Sequence, residues 1–374
     1  MADNPNSIHF PGLNNLRFIA AMGVLIFHVE LKKQLLGFKF YFMHQLINLG
    51  DVSVTLFFVL SGFLITYLLL AERKQTDTIA IKKFYTRRIL RIWPLYYLIL
   101  ILGFFVLPNI AFFQIPTSGL INTGDTFQLS LFFLLFANIG FIVYGNVAYI
   151  DQTWSVAVEE QFYLIWPFIL KVFKRILPAL VFITTLFGLL RIFFTHLFYK
   201  AEIYHYFYWF FKYTRIDTMA IGGLFAYMLF NNYRKTLVLI YNIYVQIITV
   251  ILLLILLFSG YPLPYIHQQV YALLFGIIII NAAANGRSLL SIKLKVFDYF
   301  GKISYGIYMY HNIMVVVSIK LCAQYFNPST TLFLIMSYIT TIGLTLVISH
   351  LSYRYFERFF LSLKKKFTVV SSSS

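Results

Sequence analysis

Apolar residues gather in eleven runs along the chain, at about 14–36, 47–70, 89–107, 128–144, 154–173, 176–197, 216–231, 236–258, 266–285, 302–322 and 331–352. Most are long enough to cross a hydrocarbon layer of about 30 Å as helices. They are continuous rather than alternating, which argues against a membrane barrel. The pattern predicts an all-α, polytopic transmembrane helical bundle. Residues 1–367 are expected to form a single membrane domain and 368–374 a disordered tail. No internal repeat and no separate soluble domain is visible.

Basic residues between the runs assign sides. Lys74, Lys82, Lys83, Arg87 and Arg88 mark one loop as cytoplasmic, which places the N-terminus inside. Eleven full crossings would put Lys171, Lys174, Arg175 and the basic C-terminal segment outside; ten crossings bring all of them inside. About ten spans are therefore expected, with both termini cytoplasmic in the plasma (inner) membrane. One of 128–144 and 154–173 should fail to span. The first is shorter and carries Asn138 and Gly140, so it is the expected re-entrant or interfacial segment, walling a protein-lined cavity.

Composition agrees with this class: 60% hydrophobic, 20% aromatic and only 11% charged, far from soluble averages. The net charge of +17 sits in short loops facing anionic headgroups, so its partner is the lipid bilayer and not nucleic acid. A single cysteine, Cys322, excludes an intramolecular disulfide. Met1 to Asn15 lacks a basic n-region and a small-residue cleavage site, so the first helix is expected to be an uncleaved anchor.

Charge inside apolar runs marks candidate chemistry. Arg17 and His28 are eleven positions apart, close to three turns, so they share a helix face roughly 16 Å apart. His28 suits a general base; the plainer alternative is a packed histidine with Arg17 snorkelling to the interface. Glu30 points about 200° away from His28. Arg88 and Arg91 cluster at one helix end with Arg87, and guanidinium forks suit phosphate; the alternative is ordinary loop charge. Ser61-Gly62 interrupts Phe57–Ile65, for close helix packing or passage of a substrate tail. Ser61 lacks the Gly-x-Ser-x-Gly elbow of a nucleophile.

Trp154 to Tyr163 places Glu159 and Glu160 in an apolar segment, with Glu159, Phe162, Tyr163 and Trp166 on one face. Arg215 and Asp217 open a run that continues through Gly222-Gly223, readable as a helix-end charge pair with a packing glycine. Ser304, Tyr308 and His311 share one face of the tenth span, with His311 near mid-membrane. His196, His205 and His267 fall near outer loops and are expected to be solvated. No His, Cys or acid group has metal-ligand spacing, and no nucleotide-loop fingerprint occurs, so neither a metal nor a bound cofactor is expected.

These pieces, in this order, resemble the acyltransferase-3 family of integral membrane proteins, the O-acyltransferases of bacterial surface glycans and related acceptors. The elements are Arg17 with His28, Phe57–Ile65, Arg88-x-x-Arg91-x-x-Pro94, Trp154–Tyr163, Arg215-x-Asp217 with Gly222, Gly301-Lys-Ile-Ser304-Tyr305 through His311, and Arg354-Tyr-Phe-Glu357-Arg358. The likeness covers nearly the whole chain. It implies about ten spans, acyl-CoA as co-substrate and a carbohydrate hydroxyl as acceptor. It also implies a catalytic His28, an important Glu159 and a donor site at Arg88 and Arg91. Two departures stand out. Asp51-Val-Ser53-Val-Thr55 replaces the family's Gly-Val-Asp lead, so a helix-embedded acid is expected to be missing. A C-terminal extracytoplasmic hydrolase-like domain, carried by some members, is not expected here, so a second transfer step would be expected to need a partner transferase.

The expected activity is transfer of an acyl group, acetyl first among candidates, from acyl-CoA (acetyl-CoA) to a hydroxyl of a carbohydrate or lipid-linked glycan. His28 would take the acceptor proton or carry the acyl group briefly. Arg17, Arg88 and Arg91 would bind the donor, and Glu159 would orient His28 or donate a proton. Ser61, Trp154, Arg215, Asp217, Ser304, Tyr308 and His311 would line or support the acceptor side. The rival is a transmembrane carrier or flippase, or an acyl-group translocator serving a separate transferase. Missing repeats and the arginine cluster weigh against a carrier.

Overall fold

A computed structural model describes the chain except residues 1–6, 9, 11, 41–43, 116–124, 146, 148, 199–200, 260–262, 264, 290–293, 369–370 and 373–374; at 7, 44–47 and 371–372 it describes the backbone alone. The architecture is all-helical. The first half comprises α1 (Leu13–Leu35), α2 (His44–Thr76), α3 (Ile81–Ile101), α4 (Thr126–Phe133), α5 (Ala137–Tyr144), α6 (Thr153–Val172), α7 (Ile176–Leu197) and α8 (Tyr204–Tyr213). The second half comprises α9 (Ile216–Phe230), α10 (Arg234–Tyr241), α11 (Ile243–Ser259), α12 (His267–Ala284), α13 (Lys295–Lys302), α14 (Ser304–Tyr325), α15 (Thr331–Ser352) and α16 (Arg358–Lys364). The only strands among the described residues are Ser7–Ile8 and Ser371–Ser372, paired in parallel. The second lies in the tail expected to lack order.

Among the described residues, six helices are long and apolar enough to cross a membrane, or seven if the bent pair α10–α11 is one span. α1 and α6 do not reach that apolarity, and α9 has only 15 residues. The expected 236–258 helix is thus two helices meeting at 64°, with Asn242 at the break. The 128–144 run is broken as well. Leu135 takes a left-handed φ of 64° between α4 and α5, and each eight-residue helix is about 12 Å long, too short to cross. The 154–173 run is one continuous helix, α6.

α2 is the central helix, packed by α1, α6, α9, α11 and α12. Its closest partner is α9, and glycine sets the approach. A Cβ on Gly62 would lie 1.9 Å from the Met219 carbonyl oxygen, and one on Gly222 would lie 2.2 Å from that of Val59. Gly62 therefore serves backbone-to-backbone packing and leaves no passage for a substrate tail. Replacing Gly62 by alanine should overpack the contact and cost about 1–3 kcal/mol, seen as a lower unfolding midpoint in detergent. An unchanged midpoint would mean the two helices can part without cost.

Candidate active site

α1, α2, α6 and α14 each carry polar residues at two levels, and those levels face two cavities. The arginine cavity, of about 140 Å³, is lined by Arg17, Ser61, Arg88, Arg91, Glu159, Tyr163 and Ser304. The histidine cavity, of about 620 Å³, is lined by His28, Asp51, Asp151, Trp154, Arg191 and Lys212. Val54 and Tyr308 line both. The Tyr308 hydroxyl is 2.5 Å from the Ser155 hydroxyl, and its ring lies edge-on to Phe57 at 5.5 Å. Tyr308 is thus a held partition between the cavities.

In the arginine cavity, Arg17 donates to Asn14 Oδ1 at 2.9 Å, and Asn14 donates to Asp298 Oδ1 at 2.9 Å, which ties α1 to α13. The Arg88 guanidinium lies 5.6 Å from the ring centroids of both Phe84 and Tyr163, a cation–π clamp. Among the described residues, no carboxylate comes within ion-pair distance of Arg17, Arg88 or Arg91. The Arg88 Nε is buried without a partner. Arg87 differs from its neighbours: it pairs with Glu72 at 3.0 Å and donates to the Phe367 carbonyl at 2.8 Å. The shared face read from the sequence of α6 is present, since the Tyr163 hydroxyl donates to Glu159 Oε2 at 2.9 Å and also bonds the Ser61 hydroxyl. Glu160 faces elsewhere and accepts from Trp93 Nε1 at 2.9 Å.

At the other level, His28 meets His311, with Nδ1 of His28 3.2 Å from Nε2 of His311. Backbone carbonyls settle the tautomers of this neutral pair. His28 Nδ1 lies 2.9 Å from the Val24 carbonyl, and His311 Nδ1 lies 2.5 Å from the Tyr308 carbonyl. A carbonyl only accepts, so each Nδ1 carries the proton. His311 Nε2 is then bare and shares the one His28 Nδ1–H with the Val24 carbonyl, and His28 Nε2 is left as the free basic nitrogen. His28 is half-buried and lines its cavity; His311 is fully buried behind it and lines neither. The expected link between Glu159 and His28 is corrected here. Glu159 belongs to the arginine cavity, and the histidine's orienting partner is His311.

One turn beyond His28, Lys32 forms a fully buried ion pair with Asp151. Gln152 next to it donates to the Met309 carbonyl at 2.7 Å and accepts from Asn312, so this short segment pins α14 to the start of α6. The expected pairing within Arg215-x-Asp217 is corrected too, because successive side chains of a helix start diverge. Arg215 reaches α2, donating to Asp51 and, at 2.9 Å, to Thr55, while Asp217 accepts from Arg191 at 3.1 Å and from Gln269. Asp51 lies inside α2, so the helix-embedded acid expected to be missing is present one turn before Thr55. Trp154 packs under the Arg215 guanidinium at 5.7 Å. His267 lines the histidine cavity rather than standing in solvent. Among the described residues, no cluster of His, Cys, Asp or Glu could hold a metal.

A family model described as an acyltransferase domain matches residues 10–350. The chain belongs to the acyltransferase-3 family. It is 26% identical over 371 residues to peptidoglycan O-acetyltransferase OatA of Listeria monocytogenes, covering 93% of this chain and 55% of that protein. It is 27% identical over 369 residues to O-acetyltransferase OatA of Staphylococcus aureus, covering 93% and 57%. The chain thus spans little more than half the length of these relatives. No solved structure matches it.

Within this acyltransferase-family fold, the residues that sequence reasoning missed are interhelical partners: Lys32, Asp151, Gln152, Asn312, Arg191 and Lys212. Arg191 carried a usable signal, since a guanidinium in the apolar run 176–197 requires a buried partner. Removing one member of a buried ion pair strands the other, so Lys32→Met should destabilise by about 3–5 kcal/mol. Replacing both, as in Lys32→Met with Asp151→Leu, should recover more than half of that in thermal unfolding. A harmless single substitution would contradict the pairing.

Proposed function

We propose that this chain is a membrane O-acetyltransferase that takes an acetyl group from acetyl-CoA at the arginine cavity and transfers it to a carbohydrate hydroxyl at the histidine cavity. One observation carries the reading: three guanidiniums without carboxylate partners line one cavity, His28 lines the next, and Tyr308 lines both. Unpaired, partly buried cations call for an anionic ligand, and the phosphates of CoA supply one. In this reading the arginine cavity, of about 140 Å³, takes the pantetheine arm. The nucleotide end would stay at the mouth, beside Arg88 and Arg91. Exposed Lys82 and Lys83 at the start of α3 support a cytoplasmic mouth. The names of the relatives support an acetyl group and a glycan acceptor.

The arm must bridge about 16 Å of α1 between Arg17 and His28. There the acceptor hydroxyl attacks the thioester carbonyl while His28 Nε2 takes its proton. The resulting imidazolium keeps its Nδ1–H on His311 Nε2, which holds the ring in place through the step. Collapse of the tetrahedral intermediate breaks the C–S bond, and the thiolate leaves with the proton returned by His28.

The test is transfer from labelled acetyl-CoA in isolated membranes at matched expression. His28→Ala should lose about 10²–10⁴-fold in rate, the typical worth of a general base. Arg88→Ala should raise KM for acetyl-CoA by about tenfold, the loss of one charge-assisted contact, with little change in kcat. Full activity of His28→Ala would remove the histidine from the chemistry.

A further inference from the structure

The histidine cavity contains a cation that the transfer step does not use. Lys212, in the last turn of α8, is half-buried and lines this cavity. Its ammonium lies 4.5 Å from the Trp209 ring centroid and 6.0 Å from that of Tyr208. Trp209 stacks on Tyr213 at 5.4 Å, and Trp154 closes edge-on to Tyr213 at 4.8 Å. The ammonium therefore stands on an aromatic wall.

The acids around it are already taken. Asp51 pairs with Arg215, Asp151 with Lys32, and Asp217 with Arg191. Among the described residues, no carboxylate comes within ion-pair distance of Lys212. Four cations thus meet three acids, and the cation left over, Lys212, lines the cavity. His267 adds a donor: its Nδ1 accepts from the Leu263 amide at 3.3 Å, so the neutral ring carries its proton on Nε2. At about 620 Å³, the cavity has the size and the aromatic lining of a ligand site with a few placed polar groups.

We propose that the acceptor of this cavity is an acidic glycan, a sugar unit whose carboxylate or phosphate is held by Lys212 while its ring lies along the wall of Trp209 and Tyr213. This rests on the histidine cavity being the acceptor site. Lys212 is then a specificity-determining residue: it sits at the anion, and His28 acts at the hydroxyl.

The experiment is a tryptophan-fluorescence titration of the purified protein in nanodiscs with paired oligosaccharides. One pair is tetragalacturonate and its methyl ester; the other is maltotetraose with and without a 6-phosphate. At least one acidic member should bind about tenfold tighter than its neutral partner, the worth of one charge-assisted contact, and the advantage should shrink with added salt. The pair showing the preference identifies carboxylate or phosphate. Lys212→Gln should abolish the preference while leaving neutral binding and the unfolding midpoint unchanged, and Lys212→Arg should keep it. Equal binding of acidic and neutral members in both pairs would overturn the proposal, and so would a preference that survives Lys212→Gln. Acetyl transfer to neutral and acidic acceptors alike would overturn it while leaving the transferase reading intact. A preference that stands without any transfer from acetyl-CoA would support it and overturn the donor chemistry.

Discussion

An ionised group inside a bilayer is costly unless a partner or a polar cavity meets it, and this constraint arranges most of the polar interior. Three buried ion pairs join different segments, and a fourth, within α1, is tied to α15 by a hydrogen bond. Arg215, just ahead of α9, reaches Asp51 of α2, and Arg191 of α7 reaches Asp217 of α9. Lys32 of α1 reaches Asp151 ahead of α6. Glu30, paired with Lys33, also accepts from Tyr338 of α15 at 2.8 Å. Breaking any of them strands a charge, so they hold the helices in register. The charges left outside this scheme are informative for the same reason. Arg17, Arg88 and Arg91 gather at one cavity and Lys212 at the other, where a ligand can supply the missing anion.

The glycine contact between α2 and α9 closes the seam between these two helices. With Gly62 against Met219 and Gly222 against Val59, the backbones touch and no channel opens between these two helices. The route between the cavities is left to the seam where Val54 and Tyr308 stand. The hydroxyl of Tyr308 on Ser155 and the carbonyl of Tyr308 on His311 couple this partition to both α6 and the histidine pair. Movement of Tyr308 would therefore be felt directly at His311.

Relations within one helix were legible in the sequence because a period of 3.6 residues decides them. Glu159 and Tyr163 bond as their i,i+4 spacing implies, and Ser304, Tyr308 and His311 step along one face from the arginine cavity to His28. Relations between helices were not legible. Nothing local indicates that Arg215 prefers Asp51, 164 positions away, over Asp217 two positions on. Glu159 was paired with His28 on shared polarity alone, although they sit at different depths in different cavities. The kink at Asn242 was hidden for a related reason: α10 and α11 are both apolar, and hydropathy records no direction. Apolar length gave eleven runs and loop charge about ten spans, whereas six or seven helices meet a strict test among the described residues. Helices such as α1 lose apolarity to the groups that build the site.

The most direct test of the account is the sidedness of transfer, since the proposal gives the donor a cytoplasmic mouth and sets the acceptor in a second cavity, about 16 Å further along α1, which we take to open on the other side. In sealed proteoliposomes, labelled acetyl-CoA can be enclosed with the carbohydrate acceptor outside, or both can be supplied outside only. The account predicts acetylated carbohydrate when the two are on opposite sides and almost none when both are outside. Equal product in the two arrangements would show that donor and acceptor enter from the same face and would contradict transfer between the two cavities.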